Sequence, residues 1–114
     1  MKDTYRAGLF GEWIARWYLI LRGFRILELR YITGRGTGRA EIDIIAQRGN
    51  LIVFTEVKNR ASVASGLNAI TFVQHRRLRR AAETYLRRRR WTGDARFDVI
   101  VVAGLRVSWI KNAV

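Results

Sequence analysis

The sequence has no cysteine and a single histidine among its 114 residues. The first absence excludes disulfides, thiolate metal sites and cysteine nucleophiles, and the second argues against an ordinary zinc site, which draws on several imidazoles or thiolates. Any metal must therefore be held by carboxylates, and these are scarce too: nine Asp and Glu stand against 22 Lys and Arg. No apolar run approaches the ~20 residues that cross a bilayer. The N-terminus also lacks a secretory-signal pattern. A cytoplasmic protein with no membrane partner is expected.

Positive charge is present in excess. A net charge of +13 and a pI near 11.6 predict attraction to polyanions, nucleic acid first. General solubility, or a bias toward arginine, would raise the charge as well, but the basic residues cluster rather than spread. With 49% hydrophobic residues, the chain can fill one core, and its length suits one domain over 1–114.

The chain is organised around the stretch from Glu41 to Arg60. Two β-type runs, Ile42 to Ala46 and Leu51 to Val57, flank Gly49-Asn50, which is a hairpin signal. With a two-residue loop, Arg48 faces Leu51, Asp43 falls opposite Glu56, and Glu41 falls opposite Lys58. Side chains alternate with period two, so all four project from one side of the sheet. Like charges placed opposite each other destabilise a sheet by up to ~1 kcal/mol. A hard divalent cation, Mg²⁺ or Mn²⁺, would reverse that cost, because it prefers oxygen ligands. Lys58 could orient an attacking water or meet a phosphate.

Before the hairpin, Leu9, Trp13, Trp17 and Leu21 recur every four positions, with Phe10, Ile14 and Tyr18 alongside. This predicts an amphipathic helix from about Tyr5 to Leu21, after a short tail of Met1 to Thr4. Glu12 lies at the edge of the stripe, where an i,i+4 pair with Arg16 would suit it. Phe24 to Tyr31 reads as the first strand. The loop Thr33-Gly-Arg-Gly-Thr-Gly-Arg39 lacks the ending of a P-loop; its amides with Arg35 and Arg39 could contact phosphate, or it could have no ligand role.

After the hairpin, 59–68 reads as a connection. Thr71 is a suitable N-cap, and Leu78, Ala81, Ala82, Tyr85 and Leu86 follow helical spacing. The other faces carry Arg76, Arg77, Arg79 and Arg80, with Arg87 to Arg90 at the end. The macrodipole accounts for the last four; eight arginines exceed what capping requires, which favours phosphate contact. His75 on such a helix is expected to be exposed. Arg96 to Ala103 predicts a strand covered on both faces, with Asp98 a structural partner for Arg96 or a backbone amide, and Leu105 to Ile110 a final edge strand. The order of helix, three strands, helix, and one or two strands makes an α/β domain with a mixed central sheet flanked by helices.

Asp43 followed by Glu56-Val57-Lys58 resembles the PD-(D/E)XK signature of restriction-endonuclease-like nucleases. Together with Gly11-Glu12, the run 40–46, Phe54 to Arg60 and Arg96-Phe-Asp98, the pattern is similar to the bacterial YraN family over nearly the whole chain. That family is uncharacterised, and its members are regarded as endonucleases distantly related to archaeal Holliday junction resolvases. The resemblance implies a restriction-endonuclease-like fold in which Asp43 and Glu56, with the Val57 carbonyl, hold Mg²⁺ or Mn²⁺. It further implies that Lys58 acts in catalysis and that Glu12 completes the site. DNA, branched or structured, is the implied substrate, contacted by Arg35, Arg39, Arg60, Gln74, Arg76, Arg77 and Arg80. Gln74 departs from the family, in which a lysine after a proline is common at that position. Resolvase relatives act as dimers, which allows a homodimer here. The alternatives are a non-catalytic nucleic-acid-binding module with a degenerate site, and a structural protein whose hairpin acids pair with arginines.

Overall fold

A computed structural model of the chain describes residues 2–33, 40–60 and 72–112, with side chains from residue 8 onward and, in the second helix, from residue 75. The elements are α1 (Lys2–Ile20), β1 (Arg25–Thr33), β2 (Ala40–Arg48), β3 (Leu51–Asn59), α2 (Phe72–Arg89), β4 (Asp94–Ala103) and β5 (Arg106–Ile110). Among the described residues the strands form one five-stranded sheet in the order β1-β2-β3-β4-β5. Only β3 and β4 pair in parallel, and a parallel pair needs a crossover, which α2 supplies. This is the expected mixed α/β architecture, consistent with a restriction-endonuclease-like fold.

Each face of the sheet is closed by one helix. Leu78, Ala81, Ala82 and Tyr85 of α2 pack with Ile42, Ile45, Ile52, Phe54 and Phe97. On the opposite face, Ala15 and Leu19 of α1 pack with Phe24, Ile44, Ala46, Val53, Ile100 and Val102. Burial of each Leu, Ile, Val or Phe among these contributes about 1.5–3 kcal/mol. The β-branched run Val99 to Val102 is buried throughout, as expected of a strand covered on both sides.

The first helix differs from its expected form in two respects. It begins at Lys2 rather than after Thr4. Its large apolar stripe also faces outward: Phe10 and Trp13 are each 51% exposed and Trp17 is 49% exposed. The row that meets the sheet is Gly11, Ala15 and Leu19, offset by two residues, or about 200° of rotation. Small residues let the helix sit close, and a Cβ on Gly11 would lie 3.2 Å from that of Asn59.

In β4, opposite Thr55 of β3, Asp98 is fully buried. It accepts both Nε and a terminal nitrogen of Arg96 (2.8 and 2.9 Å), the Trp109 indole N–H (2.8 Å) and the Asn112 amide (2.8 Å). Both expected partner types are present, so the carboxylate anchors β4 to β5 and the chain beyond. Thr71 lies outside the described residues.

Candidate active site

The hairpin forms with the expected register. Arg48 pairs with Leu51, and the ladder runs through Ile44–Thr55. Gly49 has φ +58° while Asn50 does not take a positive φ, which suits a two-residue turn with glycine first. The paired register stops at Ile44–Thr55, so Asp43 and Glu56, and likewise Glu41 and Lys58, are not the cross-strand pairs that the counting implied. Alternation in β2 breaks at the same place: Ile42 and Ile45 join the cluster under α2, whereas Ile44 and Ala46 join the one under α1. The strands part there, and side chains take over from the ladder.

Asp43 Oδ2 accepts the Val57 amide at 2.8 Å, and the Asp43 amide is close enough to the Glu56 carboxylate to favour its charged form. The Val57 bond ties the first acid to the strand that carries the second. Lys58 Nζ stands 3.8 Å from Glu56 Oε2, as the two-residue spacing on one face of β3 requires. Glu56 is buried, and its Oε1 has no hydrogen-bond partner.

The charges are correspondingly uneasy. Burial, then the Asp43 charge, pushes the Glu56 carboxyl up to about 8 against the pull of Lys58. Burial also raises Asp43 to about 6; the Val57 amide opposes this, while the charges of Glu12 and Glu41 add to it. Two acids sharing one site with too little positive charge are displaced in this direction.

Glu12 sits near enough to act on Asp43, but its partner is Arg30 of β1, with Nε 3.3 Å from Oε2, rather than Arg16. Sequence reasoning missed this contact. Arg30 adopts φ +53° within a strand, a conformation uncommon for a residue other than glycine, and nothing in the local sequence signals it.

The donor set suits a hard divalent cation: two carboxylates, one with a buried oxygen lacking a partner, are what Mg²⁺ or Mn²⁺ would take up. Among the described residues no three Asp, Glu or His side chains converge on a metal position, so backbone oxygen and water would complete the shell.

Of the expected nucleic-acid contacts, Arg60, Arg76, Arg77 and Arg80 are exposed. Gln74 lies in α2, and its side chain is outside the described set. Arg35 and Arg39 lie outside the described residues altogether. His75 is half-buried. Among the described residues no helix is long and apolar enough to cross a membrane.

A mixed sheet between two helices, with an acid pair and a lysine where two strands part, places the chain in the α/β class with restriction-endonuclease-like architecture. It belongs to the uncharacterised protein family UPF0102, whose family model matches residues 11–102. This is consistent with the YraN resemblance. It is 38% identical over 104 residues to a UPF0102 protein of Paramagnetospirillum magneticum, covering 90% of this chain and 81% of the relative. To UPF0102 proteins of Agrobacterium fabrum and Mesorhizobium japonicum it is 43% identical over 108 residues (93% and 85% covered) and 44% identical over 103 residues (89% and 79% covered).

Proposed function

We propose that this protein is a metal-dependent endonuclease that hydrolyses phosphodiester bonds in DNA, with branched or structured DNA among the candidate substrates. The observation that carries the reading is the paired Asp43 and Glu56 in the gap between β2 and β3, with Glu56 Oε1 buried and without a partner beside Lys58. Asp43 and Glu56, with the Val57 carbonyl, would hold Mg²⁺ or Mn²⁺, which supplies the Lewis acidity that polarises a scissile phosphate. Lys58 positions the attacking water and stabilises the negative charge that builds on the phosphate. Glu12 adds a third acid at the margin of the site, steadied by Arg30. Arg60, Arg76, Arg77 and Arg80 would hold the DNA backbone through contacts that fix position without reading sequence.

A non-catalytic binding module is the second reading. What favours it is that, among the described residues, no third acid or histidine joins the pair in a metal-holding group and that Gln74 stands where the family commonly has lysine. A cleavage screen over single-stranded, duplex, flap and four-way-junction DNA, with and without Mg²⁺ or Mn²⁺ and beside an Asp43→Ala control, separates the two. Metal-dependent cleavage lost in the control is expected. Binding to DNA with no cleavage of any substrate would leave the binding module.

A further inference from the structure

The outward row of α1 is the part of the molecule that the nuclease reading leaves unused. A surface helix normally keeps its apolar residues on the side facing the core. Here Gly11, Ala15 and Leu19 face the sheet, yet Phe10, Trp13 and Trp17 on the other side are each about half exposed. The Phe10 and Trp13 rings lie within 20° of parallel with centroids 6.4 Å apart. Beside them is an open groove of about 380 Å³ between α1 and β1, lined by Leu9, Glu12, Trp13, Arg16, Leu29 and Arg30. Leu29 and Arg30 are consecutive in a strand and would ordinarily point to opposite sides. The left-handed conformation at Arg30, φ +53°, breaks that alternation and lets both line the groove.

The charge pattern narrows the occupant. Arg30 neutralises Glu12, so Arg16 gives the groove a net positive character. A second copy of this chain would bring a further +13 against it, which opposes self-association through this face. A polyanion carrying flat apolar groups answers both the charge and the rings. Bases in a duplex are stacked inside and cannot reach such rings, whereas unpaired bases can. The groove also lies on the side of the acid pair, since Glu12 lines it and stands near enough for its charge to act on Asp43.

We propose that this groove binds an unpaired stretch of nucleic acid, with bases stacked on Trp13 and Phe10 and a phosphate met by Arg16. The proposal rests on the nucleic-acid reading above and deepens it: the substrate carries a single-stranded segment next to the strand to be cut.

The test is binding without cleavage. A fluorescent oligothymidylate and a blunt duplex of equal length are titrated into Asp43→Asn protein free of divalent cations, so that the outcome does not depend on the nuclease reading. Trp13→Leu should weaken oligothymidylate binding about tenfold, equivalent to about 1.4 kcal/mol, and duplex binding less than twofold. Trp13→Phe, which retains a ring, should restore most of the affinity, and circular dichroism should show both variants folded. Arg16→Gln should lower the salt slope for oligothymidylate by about 0.7, one single-strand contact. Equal loss on both ligands, or none on oligothymidylate, would overturn the proposal. So would a dimer in sedimentation equilibrium that Trp13→Leu dissociates, or Trp13-dependent binding to anionic vesicles alone. Ring-dependent oligothymidylate binding together with an absence of cleavage by the unaltered protein would sink the nuclease reading and leave this one standing.

Discussion

Asp43 Oδ2 accepts the Val57 amide at 2.8 Å just beyond the last paired residues of β2 and β3. The bond gives Asp43 two separable duties, because the amide needs only an acceptor while a cation needs the charge. Asp43→Asn keeps an oxygen for Val57 and removes one of two crowded charges. Its stability should match or exceed that of the unaltered protein, with cleavage abolished. Asp43→Ala leaves the Val57 N–H without that acceptor and should cost about 1–3 kcal/mol. Urea denaturation beside a cleavage assay checks both. Equal destabilisation by the two changes would mean that the bond does not support the rim.

The same acids set a pH dependence of stability. In the folded protein the Asp43 and Glu56 carboxyls are raised to about 6 and about 8, above the range near 4 where they titrate in an unfolded chain. The folded state therefore binds these protons more tightly. The resulting stability is present below the unfolded range and is lost as pH climbs through about 6 and then about 8. Each tenfold change in proton affinity is worth about 1.4 kcal/mol, so melting temperature should fall between pH 5 and pH 8. Millimolar Mg²⁺ should restore much of it at pH 8 by binding the native state, and little at pH 5. Glu56→Gln should flatten the profile. Stability that rises from pH 5 to pH 8, or a metal effect that is larger at pH 5, would contradict the assignment.

How much of this was legible in the sequence varies by element. The hairpin register followed from Gly49-Asn50 and the alternation on either side, and α2 followed from Leu78, Ala81, Ala82 and Tyr85 because arginines occupy its remaining faces. The point where β2 and β3 part was not legible: counting residues from a turn gives opposite positions but not where the ladder ends. The face of α1 was not legible either, since two rows of spacing four run along opposite sides and the bulkier one faces water. Closeness of approach, which Gly11 and Ala15 permit, outweighed apolar bulk. Glu12 found Arg30 only through a backbone conformation that the sequence does not announce.

Asp98 illustrates a carboxylate whose importance is structural. Its four hydrogen bonds reach Arg96, the Trp109 indole and the Asn112 amide, and it is fully buried. Asp98→Ala would strand the indole N–H and that amide and remove the counter-charge of Arg96, whose side chain is 24% exposed and can turn partly to water. A loss of about 3 kcal/mol is expected. Asp98→Asn, which keeps an acceptor, should lose less. Thermal unfolding measures both, and the downward shift should be the same with and without Mg²⁺, because Asp98 pairs with Thr55, one residue before Glu56, so the two carboxylates alternate to opposite faces of the sheet. A shift that metal alters would bring Asp98 into the acid site.

The arginines of α2 make a prediction about salt rather than about chemistry. Arg76, Arg77 and Arg80 are exposed while Leu78 between them and Ala81 just after them are buried, so their replacement leaves the packed face of the helix intact. A cation that touches a duplex phosphate contributes about 0.9 to the slope of log affinity against log salt through release of counterions. Replacing all three with glutamine should lower that slope by up to about 2.7 and weaken binding uniformly across duplex sequences, since phosphate contacts carry no base information. Stability should change by less than about 0.5 kcal/mol per position, as surface substitutions do. Titrations of duplex DNA at several salt concentrations give the slope directly. An unchanged slope would move the duplex-binding surface away from α2, and a sequence-dependent loss would mean that these side chains reach base edges.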